Sequence, residues 1–144
     1  SLHWGENWVD EVPAVHRRFA HRLIDLGAAD VVHGHSSHHP LPIEVHAGKL
    51  ILYGCGDLIN DYEGIGPHGE MRSDIGCLYA PTLAGADGRL HALEIVPLQL
   101  RRFRLTRPDA AALRWGYELL SAGNAAFGTR ITRAGDGRWH LAWA

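Results

Sequence analysis

The chain has 144 residues, of which 46 % are hydrophobic and 21 % charged, with a formal net charge of −2 when histidine is neutral. That length supports one domain with its own core, and the composition excludes a disordered chain. There is no basic footprint of a nucleic-acid binder, and no apolar run approaches the roughly 18 residues of a membrane span.

The chain opens SLHWG, with neither an initiator Met nor a signal peptide, in what already reads as a strand end. This start suggests a fragment or a processed form. Asp10 to Gly27 is predicted to be a helix, with Val12, Val15, Phe19, Leu23 and Leu26 forming one apolar stripe. Asp10 is the expected cap, Pro13 is tolerated in the first turn and Gly27 is the expected stop. Val31 and Val32 begin a short buried strand that runs into the loop GHSSHHP, residues 34–40. IEVHA and KLILYG follow as two strands joined by a tight turn at Gly48. GCGDLINDYEGIGPHGEMRSD is loop-like.

IGCLYAPTL and RLHALEIVPLQLRRFRL then flank Asp87-Gly88, a hairpin signal. Thr106-Arg107-Pro108-Asp109 reads as a helix start with Thr106 as cap; Leu113, Tyr117 and Leu120 are its expected inner face and Gly123 its end. TRITR and RWHLAWA close the chain around the turn at residues 134–137. This order predicts an α/β domain with a layered mixed β-sheet, flanking helices and no interdomain linker. Cys55 and Cys77, in apolar runs and outside any CxxC, read as buried structural thiols.

The eleven histidines are unevenly spread. His33, His35, His38 and His39 sit at or just after the end of a predicted buried strand, where ligands bind in open α/β sheets. Imidazole is a common ligand for Zn, Mn and Fe, and His35-x-x-His38 can place two rings around one cation. HWGENW supplies His3 and an acid, Glu6, able to orient a ligand or a water. GDLINDYEG adds Asp57 and Asp61 after another buried strand. His16, His21, His46, His68, His91 and His140 read as hydrogen-bonded surface residues, and His39, before Pro40, as a loop-shaping one. Ser36 and Ser37 lack a G-x-S-x-G elbow, and no Walker loop or dinucleotide fingerprint occurs.

The run HWGENWVDEVPAVHRRFAHRLIDLGAADVVHGHSSHHPLPIEVHAGKLILYGCGDLINDY resembles the C-terminal half of CapA-like proteins. That family is named for poly-γ-glutamate capsule synthesis and is related to calcineurin-like metallophosphoesterases. Its pattern is H-W-G-x-E, a helix, L-I-D-x-G-A-D-x-V-x-G-H-x-x-H, then P-I-E and a strand ending in G-N-F or similar. The tail VPLQLRRFRLTRPDAAALRWGYELL with FGTRI is similar as well, so the likeness covers nearly the whole chain.

The resemblance implies the C-terminal half of a metallophosphoesterase-like sandwich. It implies metal ligands at His3, His35 and His38, and catalytic carboxylates at Glu6 and Asp57. Asp57 stands where the family usually has Asn, and the loop lacks the His-Pro common between the two ligands. The implied cofactors are divalent ions, Mn, Fe or Zn, two in the complete protein. The D-x-H, G-D and G-N-H type motifs of the N-terminal half do not occur in this sequence, so the expected partner is that half or another chain, with a homo-oligomer as another way of covering the same surface.

The implied substrate is phosphorylated or polyanionic, and the parent can be extracytoplasmic or membrane-associated. The competing expectation is a non-catalytic assembly or polymer-handling component, whose Arg101, Arg102, Arg104 and Arg107 would meet an acidic polymer or form a plain solvated face. A third expectation is an inactive fragment that associates through an exposed edge or apolar face.

Overall fold

A computed structural model gives the fold and describes residues 1–60, 69 and 71–144. The described elements are β1 (Leu2–His3), α1 (Ala14–Asp25), β2 (Val31–His35), β3 (Ile43–His46), β4 (Lys49–Leu52), β5 (Ile75–Leu83), β6 (Leu90–Arg101), β7 (Arg104–Thr106), α2 (Ala110–Ala125), β8 (Thr129–Arg133) and β9 (Trp139–Trp143). They make a mixed α/β fold with two sheets. In the first, of order β1-β2-β4-β3, β1, β2 and β4 run parallel and β3 is antiparallel. The second is antiparallel, of order β5-β6-β9-β8, with β7 also paired to β6.

Period-two patterning decides the layers. Ile51 of β4 faces α1, in a cluster with Ala20, Ile24, Val32, Leu41 and Tyr53. Its neighbours Leu50 and Leu52 face the other way, joining Leu93 and Ile95 of β6, Leu120 of α2, and Trp139 and Leu141 of β9. The mixed sheet is therefore buried on both faces, by α1 on one side and by the second sheet with α2 on the other. A two-residue turn links β3 to β4, with Ala47 and Gly48 both at positive φ (51° and 80°), the conformation that matches strand twist in a tight hairpin.

Several expectations are corrected. α1 begins at Ala14, after Pro13, and Asp10 does not cap it. Its C-terminus closes as expected around Gly27, whose N–H bonds Ile24 O, while Ala28 N–H bonds Leu23 O. The predicted stripe holds only in part: Val12 and Leu23 pack against the cluster of Ala20 and Ile24, whereas Val15, Phe19 and Leu26 are 57 %, 49 % and 61 % exposed. The small Ala20 lets the helix approach the sheet, and Arg17 and His21 turn inward to reach Glu44. The run after Leu90 is not one strand but breaks at Arg102-Phe103 into β6 and β7.

Asp109, not Thr106, caps α2 by accepting from Ala112 N–H at 2.8 Å; Thr106, at the end of β7, donates its hydroxyl to Gln99 O in β6. Fully buried positions on α2 are Ala112, Gly116, Leu120 and Asn124, with Leu113 and Tyr117 packed beside them. Small residues face the sheet because Trp139 occupies that space: a Cβ at Gly116 would lie 3.3 Å from its ring. Gly123 is inside the helix, where a Cβ would come 2.7 Å from Pro42. Cys55 and Cys77 are unpaired thiols as expected, Cys77 buried and Cys55 partly so, and burial pushes both up to about 12.

Strand β3 is an edge whose backbone is satisfied from elsewhere. Ile43 N–H donates to Asn124 Oδ1 at 2.8 Å, and Ile43 O accepts from the Thr129 hydroxyl at 2.7 Å. Both side chains are buried, so this pair fastens the mixed sheet to α2 and β8. Asn124→Ala leaves the Ile43 N–H without a partner in a dry site. It should cost about 1–3 kcal/mol, read as a lower denaturation midpoint with an unchanged m-value.

Candidate functional site

The site is built on the C-terminal ends of two parallel strands. β1 pairs with β2 so that His3 lies opposite His35. Trp4 extends the pairing through its N–H to His35 O at 3.1 Å. The Trp4 indole then crosses β2 and donates Nε1–H to Tyr53 O at 2.9 Å. It can cross only because residue 34 is glycine: a Cβ there would lie 2.3 Å from Tyr53 O and 2.5 Å from Trp4 Nε1. His16 stacks on the other side of the indole, with ring centroids 4.6 Å apart and planes 4° apart.

This clamp sets His3 Nδ1 3.2 Å from His35 Nδ1, with ring planes 58° apart. At that separation either one nitrogen carries a proton and the other accepts it, or both lone pairs face a shared cation. His33 is on the same face, its ring 5.9 Å from His35 and its Nδ1 3.0 Å from Ser1 Oγ. Burial, with a smaller effect from His35, lowers its pKa, so the neutral imidazole is favoured. His33 and His35 line a cleft of about 380 Å³, otherwise walled mainly by apolar residues of β4 and β5.

Beyond β2 the backbone turns sharply. Ser36 has φ 128° and its hydroxyl donates to Gly5 O at 3.1 Å; the Ser37 hydroxyl, buried, donates to His39 O. Both serines thus hold the loop. His38 N–H bonds Asn7 O, tying this loop to the one after β1. His38 Nδ1 faces Asp57 Oδ2 at 2.9 Å, and Asn60 donates to the same oxygen at 3.3 Å. His39 is 1 % exposed: its Nδ1 meets Pro40 O, its Nε2 accepts from Val9 N–H, and Trp8 stacks on it. Burial lowers its pKa, and it shapes the loop as expected.

The structure thus brings His3 to His35, and His38 to Asp57. Glu6 is exposed on the loop after β1. Among the described residues, no three His, Cys, Asp or Glu side chains converge as a ready metal cage. Asp61 and His68 lie outside the described residues. Arg101, Arg102 and Arg104 are exposed around the β6–β7 turn.

Sequence reasoning missed Glu44. This carboxylate is 4 % exposed and accepts from Arg17 at 2.7 Å and Tyr53 OH at 2.6 Å, with His21 Nε2 at 3.0 Å. His21 also stacks on His46 at 3.8 Å, and His46 bonds Asp25. A charged residue inside an otherwise apolar strand was the available signal, because such a charge must be paired. The network ties α1 to β3 and to Tyr53, whose carbonyl anchors Trp4.

Among the described residues no helix is long and apolar enough to cross a membrane. A layered α/β unit with imidazoles at the ends of parallel strands is the class that fold and site define. Residues 1–62, which contain β1 to β4 and the whole histidine loop, match the family model described as "Bacterial capsule synthesis protein PGA_cap". Over 136 residues, 94 % of this chain, it is 46 % identical to the "Probable polyglutamine synthesis accessory protein" of Mycobacterium tuberculosis, in strains CDC 1551 and H37Rv alike. It is 36 % identical over 59 residues, 41 % of the chain and 15 % of the relative, to the "PGA biosynthesis protein CapA" of Bacillus subtilis strain 168. The chain belongs to this CapA-like capsule synthesis family. It spans 36 % of the length of the mycobacterial relatives.

Burial raises the Glu44 carboxyl, but its hydrogen bonds from Tyr53, His21 and Arg17 outweigh this and hold its pKa below the ordinary value. A depressed folded-state pKa gives stability that is complete above the unfolded value of about 4.3 and is lost as pH falls through the folded one. Glu44→Gln should therefore destabilise the chain by about 1–3 kcal/mol at pH 7. The gap to wild type should narrow steadily below about pH 4 in urea titrations run across pH.

Proposed function

We propose that this chain is the C-terminal part of a metallophosphoesterase-like sandwich and contributes half of a divalent-metal site, and that the complete protein hydrolyses a phosphoester in the synthesis of a poly-γ-glutamate-type capsule polymer. The observation that carries this reading is the 3.2 Å approach of His3 Nδ1 to His35 Nδ1 at the ends of parallel strands. Two nitrogens bound to one tetrahedral zinc-like ion at 2.0–2.1 Å lie about 3.3 Å apart, close to the separation of this pair, which supports a shared divalent ion, Mn, Fe or Zn.

His38 is a ligand through Nε2, because Asp57 occupies Nδ1. A carboxylate on the far nitrogen fixes the tautomer and strengthens the donor. This gives Asp57 a positioning role rather than direct contact with substrate. Glu6, exposed on the loop after β1, would hold or pass a proton at the leaving oxygen. A metal pair bound here would supply positive charge to the phosphate and lower the pKa of an attacking water. The remaining ligands come from the rest of the protein, since these residues alone do not set two ions about 3.5–4 Å apart.

A second reading is an accessory, non-catalytic role in handling the polymer, favoured by the name of the mycobacterial relatives. Purified full-length protein loaded with Mn, Fe or Zn and given an aryl phosphate separates the two. Catalysis predicts metal-dependent phosphate release that His35→Ala with His38→Ala abolishes. Asp57→Asn should weaken metal retention by about 10–100-fold, measured by elemental analysis after dialysis. Turnover unchanged in the double variant would rule out the histidine assignment, and no turnover at all in the wild type would favour the accessory role.

A further inference from the structure

The cleft beside the histidine pair carries more apolar wall than metal binding uses. It lies between β2 and β4 of the mixed sheet and β5 of the second sheet. Its volume of about 380 Å³ falls among small-molecule sites, which span about 300–1,000 Å³. His33 and His35 line it at the site, and Val31, Leu50, Leu52 and Cys77 form much of the remaining wall. Among the described residues no Lys, Arg, Asp or Glu lines it. Leu58 and Leu78, which also line it, are left 37 % and 48 % exposed. Leucines solvated on a concave surface leave apolar area that a ligand can take out of water.

The backbone that builds the histidine site also holds this cleft. Cys55, in its wall, forms an isolated bridge with Pro40 of the histidine loop. Gly56 follows so closely that a Cβ there would lie 3.0 Å from the His39 carbonyl carbon. Across the cleft, Gly76 lets β5 press on the next residue: a Cβ there would lie 2.0 Å from Asp57 O. The wall is thus fastened to the loop that carries His38 and to the residue whose carboxylate orients it.

We infer that this cleft holds the alcohol part of the substrate and that this part is apolar, an alkyl or aryl group carried on a phosphate. The phosphate stays outside, at His3 and His35, because a charged group entering the cleft would lose its hydration and meet no cation there. The apolar group gains by covering Leu58 and Leu78. A sugar or glycerol in its place would leave hydroxyls unpaired against these walls. The inference rests on the phosphoester reading of the histidine site and adds a substrate class to it.

The test is titration calorimetry of the full-length, Mn-loaded protein with octyl phosphate and, separately, with glycerol phosphate. Octyl phosphate should bind more tightly by about tenfold or more, since each buried methylene adds affinity. Leu58→Ser with Leu78→Ser should bring the two affinities within about twofold of each other. Leu78→Trp places a fluorophore on the cleft wall, and its emission should shift to the blue with octyl phosphate and stay unchanged with glycerol phosphate. The inference is overturned if the two ligands bind alike, if the serine variant keeps the preference, or if the Leu78→Trp protein gives the same response to both. A cleft already filled by the rest of the protein gives no preference and overturns it too. Preference without phosphate release defeats the hydrolytic reading and leaves the ligand class of the cleft standing. Release from both esters without preference does the reverse.

Discussion

The arrangement of the candidate site depends on one close passage: the Trp4 indole lying over Gly34 to reach the Tyr53 carbonyl. β1 contributes only two residues to its sheet, too few for backbone pairing alone to hold an edge strand in place. The indole supplies the missing constraint by bonding across β2 to the end of β4, and His16 closes over it. With β1 fixed in register, His3 must lie opposite His35. A side chain at position 34 would push the indole away and free the edge strand, with both histidines still present in the sequence.

Around that clamp the histidines divide their tasks by environment. His39 is buried with both ring nitrogens engaged by backbone, so it holds the loop and is unsuited to a ligand. His21 and His46 stack on each other and bond carboxylates at the α1 side of the sheet. His3, His35 and His38 instead keep ring atoms directed at one another or at a carboxylate near the strand ends, the geometry that lets imidazole serve chemistry. Glu44 connects the two groups: it receives Tyr53 OH, and the same residue's carbonyl receives Trp4. A buried, hydrogen-bonded charge of this kind is costly to break, and it fastens α1 to the sheet under the site.

The second sheet and α2 form the other wall of this support, through Leu50 and Leu52 on the underside of β4 and through Asn124 and Thr129 at Ile43. Backbone strain at non-glycine residues appears where the histidine loop leaves β2, at Ser36, and at the Arg102-Phe103 turn, besides the milder Ala47 in the β3–β4 hairpin. The first aims the loop at Asp57; the second presents cations.

What the sequence determined by itself was local. Alternating Trp139, Leu141 and Trp143, the apolar run Lys49–Leu52 and the Asp-Gly and Ala-Gly turns each carry their conformation in a few neighbouring residues, so β4, β5, β6, β8 and β9 were legible, as was the crowding of imidazole after β2. What only the tertiary structure decided was everything set by distant partners. The buried faces of α1 and α2 followed from where Glu44, Trp139 and Pro42 lie, not from the spacing of large apolar residues, which is why Val15 and Phe19 face solvent while Ala20 and Gly116 are buried. His38 paired with Asp57 rather than with the other two histidines, because the loop is tied to Asn7 and the Asp57 carboxylate stands within reach. A turn forced onto Arg-Phe violates the local preference and could not be read locally at all. Periodicity encodes which residues prefer burial, but which surface they meet is fixed only when the whole chain competes for it.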